Sequence, residues 1–161
     1  MTIRNDILNN IAERFEQAQS LFPTITQSYR YVTREPMCEG MIKNLRPGEA
    51  ALVIMEGTET KTPISLSSTT AELPMTVEVY YKTTNQDRDW KTRNLSGKLN
   101  TILAEVIKIV LSDRQCGNNS LNVYEISNTL DVDGIYDDTV GLETTFLVQY
   151  RHRVTDPTQQ V

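Results

Sequence analysis

The sequence predicts an α+β domain in which a mainly antiparallel β-sheet of four to five strands is flanked by two α-helices. Two segments repeat apolar residues at helical spacing, and several shorter ones alternate apolar and polar residues as strands do. The elements run in the order helix, several strands, helix, two strands, which is typical of an α+β fold. Among the 161 residues, 1–155 are expected to form one domain, followed by a short polar tail at 156–161.

The first half of the chain is predicted to contain one helix and two strands. Apolar residues recur every three or four positions from Ile3 to Phe22, so a helix is expected over 2–22, ended by Pro23. The segments 25–34 (ITQSYRYVTR) and 50–56 (AALVIME) are expected to be strands, joined mostly by irregular connection. The Thr- and Ser-rich stretch 57–72 is expected to be an exposed loop or a weak edge strand.

The second half is predicted to contain three strands and the second helix. In 74–82 (PMTVEVYYK) Met75, Val77, Val79 and Tyr81 alternate with more polar residues, which predicts a strand with one inward face. A polar connection follows at 82–94, and a wide apolar stripe predicts a helix over 95–113. The Gly/Asn turn at 116–120 ends this helix, and 121–132 and 142–153 are expected to be two further strands.

The segment DVDGIYDD (131–138) joins these last two strands and concentrates four aspartates around a glycine. If Gly134 is the sixth residue of a calcium loop, Thr129 and Val140 occupy the first and twelfth positions, where carboxylates are required. We therefore expect a solvated hairpin tip with its turn at Asp133-Gly134. A weak irregular cation site and a catalytic carboxylate pair are the alternatives. The candidate acidic loop at a subunit interface or a lumen consists of Asp131, Asp133, Asp137 and Asp138.

Few residues are available for catalysis, and we predict no enzymatic activity, no catalytic residue, no cofactor and no metal ligand. His152 is the only histidine, so a Ser-His-Asp site would have to use it. Arg151 and Arg153 beside it are expected to form a surface charge cluster rather than an anion site. Glycine-rich phosphate loops are absent from the sequence. Cys38 and Cys116 are expected to be unpaired thiols in a reducing compartment.

Charge is unevenly distributed along the chain, whose net charge of -5 argues against tight binding of duplex DNA. Basic residues dominate from Lys82 to Lys98, and acidic residues dominate from Asp113 to Glu143. Two oppositely charged loops on one small domain suit head-to-tail contacts between copies, which can close into a ring. The candidate basic interface loop consists of Arg88, Trp90, Lys91 and Arg93. Its tryptophan is expected either to anchor a partner or to pack on its own domain.

No apolar run is long enough to span a membrane, and the N-terminal segment lacks the features of a signal peptide. We therefore expect the chain to remain in the cytosol where it is made, without a membrane partner.

The order of elements, taken with several quoted segments, resembles a known family. These segments are IRNDILNNIAERF in the first helix, MTVEVYY in the clearest strand, LNTILAEVIKIVLSD in the second helix and the closing TFLVQYRHRVTDP. Together they resemble the tail terminator, or tail-completion, proteins of long-tailed bacteriophages, in length and style those of T-five-like siphophages. The long stretch at 57–72 departs from the compact versions of that family.

The resemblance implies a non-enzymatic virion protein that is assembled in the host cytoplasm. Such proteins form a hexameric ring on the head-proximal end of the tail tube and stop further addition of tube protein. The ring then faces head-completion or connector proteins, and DNA passes through it without specific binding. Two other interpretations remain open: a head-completion or neck protein with a similar ring fold, and a small-ligand-binding regulatory domain on a similar sheet.

Overall fold

The fold is a single sheet with two long helices, and it is given by a computed structural model. The structure describes residues 2–136 and 138–161, and of residues 133–136 only the backbone. The strands are β1 (Tyr29–Thr33), β2 (Ala50–Glu56), β3 (Thr60–Pro63), β4 (Ser68–Lys82), β5 (Asn122–Tyr136) and β6 (Thr139–Arg153). The helices are α1 (Ile3–Glu16), α2 (Ala18–Leu21), α3 (Glu39–Lys43), α4 (Asn85–Arg88) and α5 (Leu95–Leu111).

The α+β class and the mainly antiparallel sheet are confirmed, but the prediction of four to five strands is wrong, since the described residues form six. The strands are ordered β1-β2-β4-β6-β5, with β3 also paired to β4, and only β1 and β2 run parallel. The sixth strand forms because β4 begins at Ser68 and exposes enough edge for Thr60–Pro63 to pair with Thr69–Glu72. The stretch 57–72 is therefore not wholly exposed, since Ala71 is fully buried.

The sheet has two unlike faces, because successive side chains of a strand point to opposite sides. On the face that we call the closed face, Met75, Val77, Phe146 and Val148 join the apolar sides of α1 and α5 in one core. The other face, which we call the open face, is not covered by these two helices. The residues of β4 that point to it are half-buried. The open face is therefore the part of the sheet that is available to a partner.

One end of the open face is covered by the segment around α3. Ala51 and Val53 of β2 point to this face, yet both are fully buried, as are Ile42 and Leu45 in and just after α3. These four residues lie outside the main core. We infer that the α3 segment covers β2 and leaves the β4, β5 and β6 part of the open face uncovered.

Buried Arg14 ties α1 to the end of α5. Its guanidinium donates to the carbonyl oxygens of Ile109 (3.2 Å), Val110 (2.9 Å) and Asp113 (3.2 Å). Ile109 and Val110 lie in the last turn of α5, where carbonyls lack a backbone donor from the same helix and the helix dipole favours a cation. Arg14 therefore caps α5 from another element, which fixes how the two long helices pack.

The first helix is shorter than predicted and so is the first strand. The chain interrupts the expected helix 2–22 at Gln17, so that α1 and α2 are separate. The predicted strand 25–34 begins only at Tyr29, because the backbone N–H groups of Thr26 (2.7 Å) and Gln27 (3.3 Å) donate to the carboxylate of buried Glu105 on α5. None of the helices among the described residues is long and apolar enough to cross a membrane.

Candidate functional site

The candidate basic loop forms a compact, exposed projection between β4 and α5, and we call residues 88–93 the basic segment. Arg88, Lys91 and Arg93 are exposed, and Trp90 is 78% exposed, so the tryptophan does not pack on its own domain. The Lys91 ammonium lies 5.3 Å from the centre of the indole ring. The segment turns back on itself, because Asp89 accepts at its carbonyl from the N–H of Arg93 (2.8 Å). It therefore presents a large aromatic ring flanked by three cations.

The base of the basic segment is fixed by buried Asp87. Its carboxylate accepts from the hydroxyl of Tyr81 (2.8 Å) and from the backbone N–H of Thr84 (2.7 Å), and the Lys98 ammonium lies 3.4 Å away. Burial acts to raise the pKa of this carboxyl, but the hydrogen bonds from Thr84 and Tyr81 outweigh it and hold the pKa below its ordinary value. Tyr81 belongs to the closed face, so the projection starts on the helix side of the sheet.

The candidate acidic loop is placed only in part by the structure. Asp131 is half-buried on β5, while the side chain of Asp133 and the whole of Asp137 lie outside the described residues. The expected turn at Asp133-Gly134 is wrong, because the backbone of β5 continues through these residues to Tyr136, which pairs with Thr139. The longer strand explains the difference, since β6 also begins three residues earlier than predicted and gives β5 more partner length.

The acidic and basic loops meet at one end of the same molecule. The carboxylate of Asp138 lies 3.0 Å from the Lys82 ammonium, and its carbonyl accepts from the N–H of Thr83 (2.8 Å). The hydrogen bond from Lys82 is the largest cause of the lowered pKa of Asp138, and the charge of Arg88 adds to it. Asp138 is therefore paired within the subunit. In contrast, Arg88, Lys91 and Arg93 form no ion pair with any described residue.

His152 and its two arginines do not converge on one site. His152 lies on the closed face and is only 5% exposed, while Arg151 and Arg153 are exposed on the open face. Its Nδ1 lies 2.8 Å from the carbonyl oxygen of Arg153, which can only accept, so Nδ1 carries the proton. The expectation of a three-residue surface cluster is wrong, because strand alternation separates the histidine from both guanidinium groups.

The structure also shows the positions of side chains that could bind a metal ion and of the two thiols. No group of three His, Cys, Asp or Glu side chains that could hold a metal ion occurs among the residues described above. Cys38 is exposed and Cys116 is buried, and both are unpaired.

A second acidic feature was missed by the sequence analysis and lies on the open face. Glu78 of β4 pairs directly with Glu143 of β6, and Asp131 of β5 pairs with Gly141, two residues along the same face. Together with Tyr80 they line a recess of about 520 Å³, which we call the acidic recess. Glu78 alternates with Val77 and Val79 in the sequence, which was enough to place it on the outer face. Its pairing with Glu143 depends on the register of two distant segments.

With this geometry established, the chain was compared with known proteins. No protein-family description matches the sequence, and no curated protein is significantly similar to it.

Proposed function

We propose that the protein is a structural subunit of a ring, most specifically a tail terminator of a long-tailed bacteriophage. The phage assignment is based on the resemblance of the four quoted segments and of the element order. The ring is proposed to be a hexamer that caps the head-proximal end of the tail tube in the virion. Its partners are further copies of itself, the tube protein, and head-completion or connector proteins.

The observation that carries the assembly role is the basic segment. Trp90 exposes 78% of its surface although it is the largest apolar side chain in the protein, and the Lys91 ammonium lies 5.3 Å from the centre of its ring. Arg88, Lys91 and Arg93 have no ion-pair partner among the described residues. Tryptophan and arginine are enriched among the residues that dominate binding energy at protein interfaces. Asp87 holds the base of the segment, which limits the backbone freedom that binding would have to remove. These features suit an interface better than a solvated loop.

The net charge suits a conduit for DNA. A chain with a net charge of -5 offers few of the lysine and arginine contacts to phosphate that hold DNA in place. DNA that has to pass through a ring must slide along its wall. An acidic subunit therefore favours passage over binding, and the exposed cations of the basic segment are free to contact a protein partner.

The proposal is tested by electron microscopy of the purified protein, alone and mixed with isolated tail tubes. We expect six-fold rings with a central hole, and tubes that carry one ring at one end and no longer elongate. Trp90→Ala is expected to weaken assembly by roughly 2 kcal/mol or more, about 30-fold in the dissociation constant. Leu66→Ala is the matched control, because Leu66 is a fully exposed apolar residue in the turn between β3 and β4.

Three outcomes are decisive. Rings on tube ends that are lost in Trp90→Ala but kept in Leu66→Ala support the proposal. Binding to filled heads without binding to tubes would assign the protein to head completion instead. A protein that stays monomeric at high concentration and leaves tubes uncapped contradicts the ring.

A further inference from the structure

The acidic recess contains a pair of like charges that no cation of the described residues compensates. Directly opposed residues on antiparallel strands have their Cβ atoms about 4.5–5.5 Å apart, and like charges in these positions are destabilising. Glu78 accepts a hydrogen bond from the hydroxyl of Tyr80 (2.7 Å). Neither Glu78 nor Glu143 takes part in an ion pair with a described residue. The isolated subunit therefore carries a cost that a cationic partner would remove.

The basic segment has the complementary charge and shape. The basic segment offers three exposed cations beside an exposed indole. The recess offers the carboxylates of Glu78, Glu143 and Asp131 and the ring of Tyr80. Arginine forms paired hydrogen bonds with carboxylates, and it also stacks on aromatic rings. Each surface thus lacks what the other supplies.

The two surfaces do not pair within one subunit. The basic segment is anchored through Asp87 to Tyr81, which is on the closed face, whereas Glu78 and Glu143 are on the open face. No ion pair among the described residues joins the basic segment to either glutamate. A contact between two copies would use a different surface on each, which is the kind of contact that closes into a ring.

We propose that the acidic recess of one copy receives the basic segment of the next copy around the ring. This inference rests on the proposed ring and specifies the contact that closes it. Of the candidate acidic loop, Asp131 lines the recess, whereas Asp138 is paired with Lys82 in the same subunit. Charged side chains make up the edge of the proposed contact. Its affinity is therefore expected to fall as the salt concentration rises.

A charge exchange between two variants of the full chain tests the contact. The first variant carries Arg88→Glu, Lys91→Glu and Arg93→Glu, and the second carries Glu78→Lys and Glu143→Lys. Either variant alone would place like charges against each other at every contact, so we expect at least a 100-fold loss of ring formation for each. A mixture of the two restores opposite charges at every contact of a ring in which the variants alternate. We therefore expect the mixture to form rings again.

A control variant, Glu13→Lys with Glu16→Lys, makes the same change in net charge as the second variant but on the exposed side of α1, in the helix layer. Assembly is measured by light scattering and electron microscopy, and circular dichroism checks that each variant is folded. Rings in the control, none in either variant alone and rings in the mixture support the contact.

Other outcomes overturn it in distinguishable ways. Rings formed by either variant alone contradict this contact but leave the proposed ring intact. Two folded variants that fail alone and also fail when mixed, while wild type forms rings, likewise contradict this pairing. A wild-type protein that forms no ring, alone or on tubes, contradicts the proposed function and this contact with it.

Discussion

Charged side chains on the two sides of the sheet differ in whether they have a compensating partner among the described residues. On the closed side, Arg14 of α1 donates to backbone carbonyl oxygens at the end of α5. Glu105 of α5 accepts from the backbone N–H groups of Thr26 and Gln27, so both buried charges have backbone partners. On the open face Glu78 opposes Glu143 without a cation among the described residues. Since β4 and β6 supply both faces, the same two strands determine the fold on one side and carry the proposed association surface on the other.

The contrast between the two faces is tested most strongly by truncating two neighbouring side chains of β6 that point to opposite faces. Phe146 is fully buried on the closed face, and Leu147 is half-buried on the open face. We expect Phe146→Ala to lower the free energy of unfolding by about 3–5 kcal/mol, because it removes buried contacts and leaves a cavity. Leu147→Ala is expected to cost about 1 kcal/mol. Urea unfolding of dilute protein measures both, and similar losses for the two variants would contradict the distinction between the faces.

A second test addresses the ionic anchors of the closed face. Arg14→Ala leaves the carbonyl oxygens of Ile109, Val110 and Asp113 without this donor, so we expect a loss of roughly 2–4 kcal/mol. Arg14→Lys keeps the charge near the end of α5 but supplies fewer donors in a less rigid arrangement, and it should recover part of the loss. The measurement is thermal unfolding at neutral pH. A loss below about 1 kcal/mol for the alanine variant would show that water replaces the guanidinium.

The residues changed in these two tests differ in how well they could be predicted from the sequence. Phe146 follows from strand alternation alone, and α5 from its apolar stripe and the Gly/Asn turn after it. Arg14 gave no such signal, because its partners are carbonyl groups whose position depends on how α1 packs against α5. Local pattern thus predicted the elements, whereas contacts between distant segments required the three-dimensional structure.

The same limit applies to the candidate site. The exposed basic segment could be predicted from its composition, and its anchor Asp87 from the Thr84-to-Asp87 spacing of a helix cap. The pairing of Glu78 with Glu143 could not, because strand register is set by the hydrophobic pattern of the whole sheet and by the turns that join the strands. The position of the last turn was itself wrong by several residues, which moved the acids relative to the sheet.

A third test concerns Asp87, which anchors the basic segment and whose pKa is held below its ordinary value of 3.8. A carboxyl with a lowered folded-state pKa adds stability above its unfolded pKa and loses this contribution as the pH falls through the folded value. Asp87→Asn should therefore cost roughly 1–2 kcal/mol at pH 7. The difference from wild type should begin to shrink below about pH 4, where the carboxyl of the unfolded chain takes up a proton, and should continue to shrink as the pH falls through the lower folded-state pKa.

Thermal unfolding at pH 7 and at pH 3 measures this effect. Asp89→Asn is the control, because Asp89 is exposed and an amide oxygen can still accept from the N–H of Lys91. A difference between Asp87→Asn and wild type that is as large at pH 3 as at pH 7 would contradict an electrostatic role and leave a steric one.

The smallest expected change in stability is that of Glu143→Gln, and its direction is informative because stability and assembly should change in opposite directions. Glu143→Gln removes one of two opposed charges on the open face, so the isolated subunit should become more stable by about 0.2–1 kcal/mol. The same change removes a carboxylate from the acidic recess and should weaken ring formation. A substitution on the closed face moves stability and assembly in the same direction, since an unfolded subunit cannot assemble. Glu13→Gln on the exposed side of α1 should change neither quantity.

Unfolding of the dilute subunit and the concentration dependence of ring formation measure the two quantities separately. Opposite changes in Glu143→Gln would mean that the repulsion in the free subunit is retained because the next copy relieves it. A subunit that gains stability and assembles as well as wild type would show that the opposed pair has no part in the contact. A subunit that loses stability would show that Glu143 has a stabilising partner in the monomer, which would remove the contrast between the two faces.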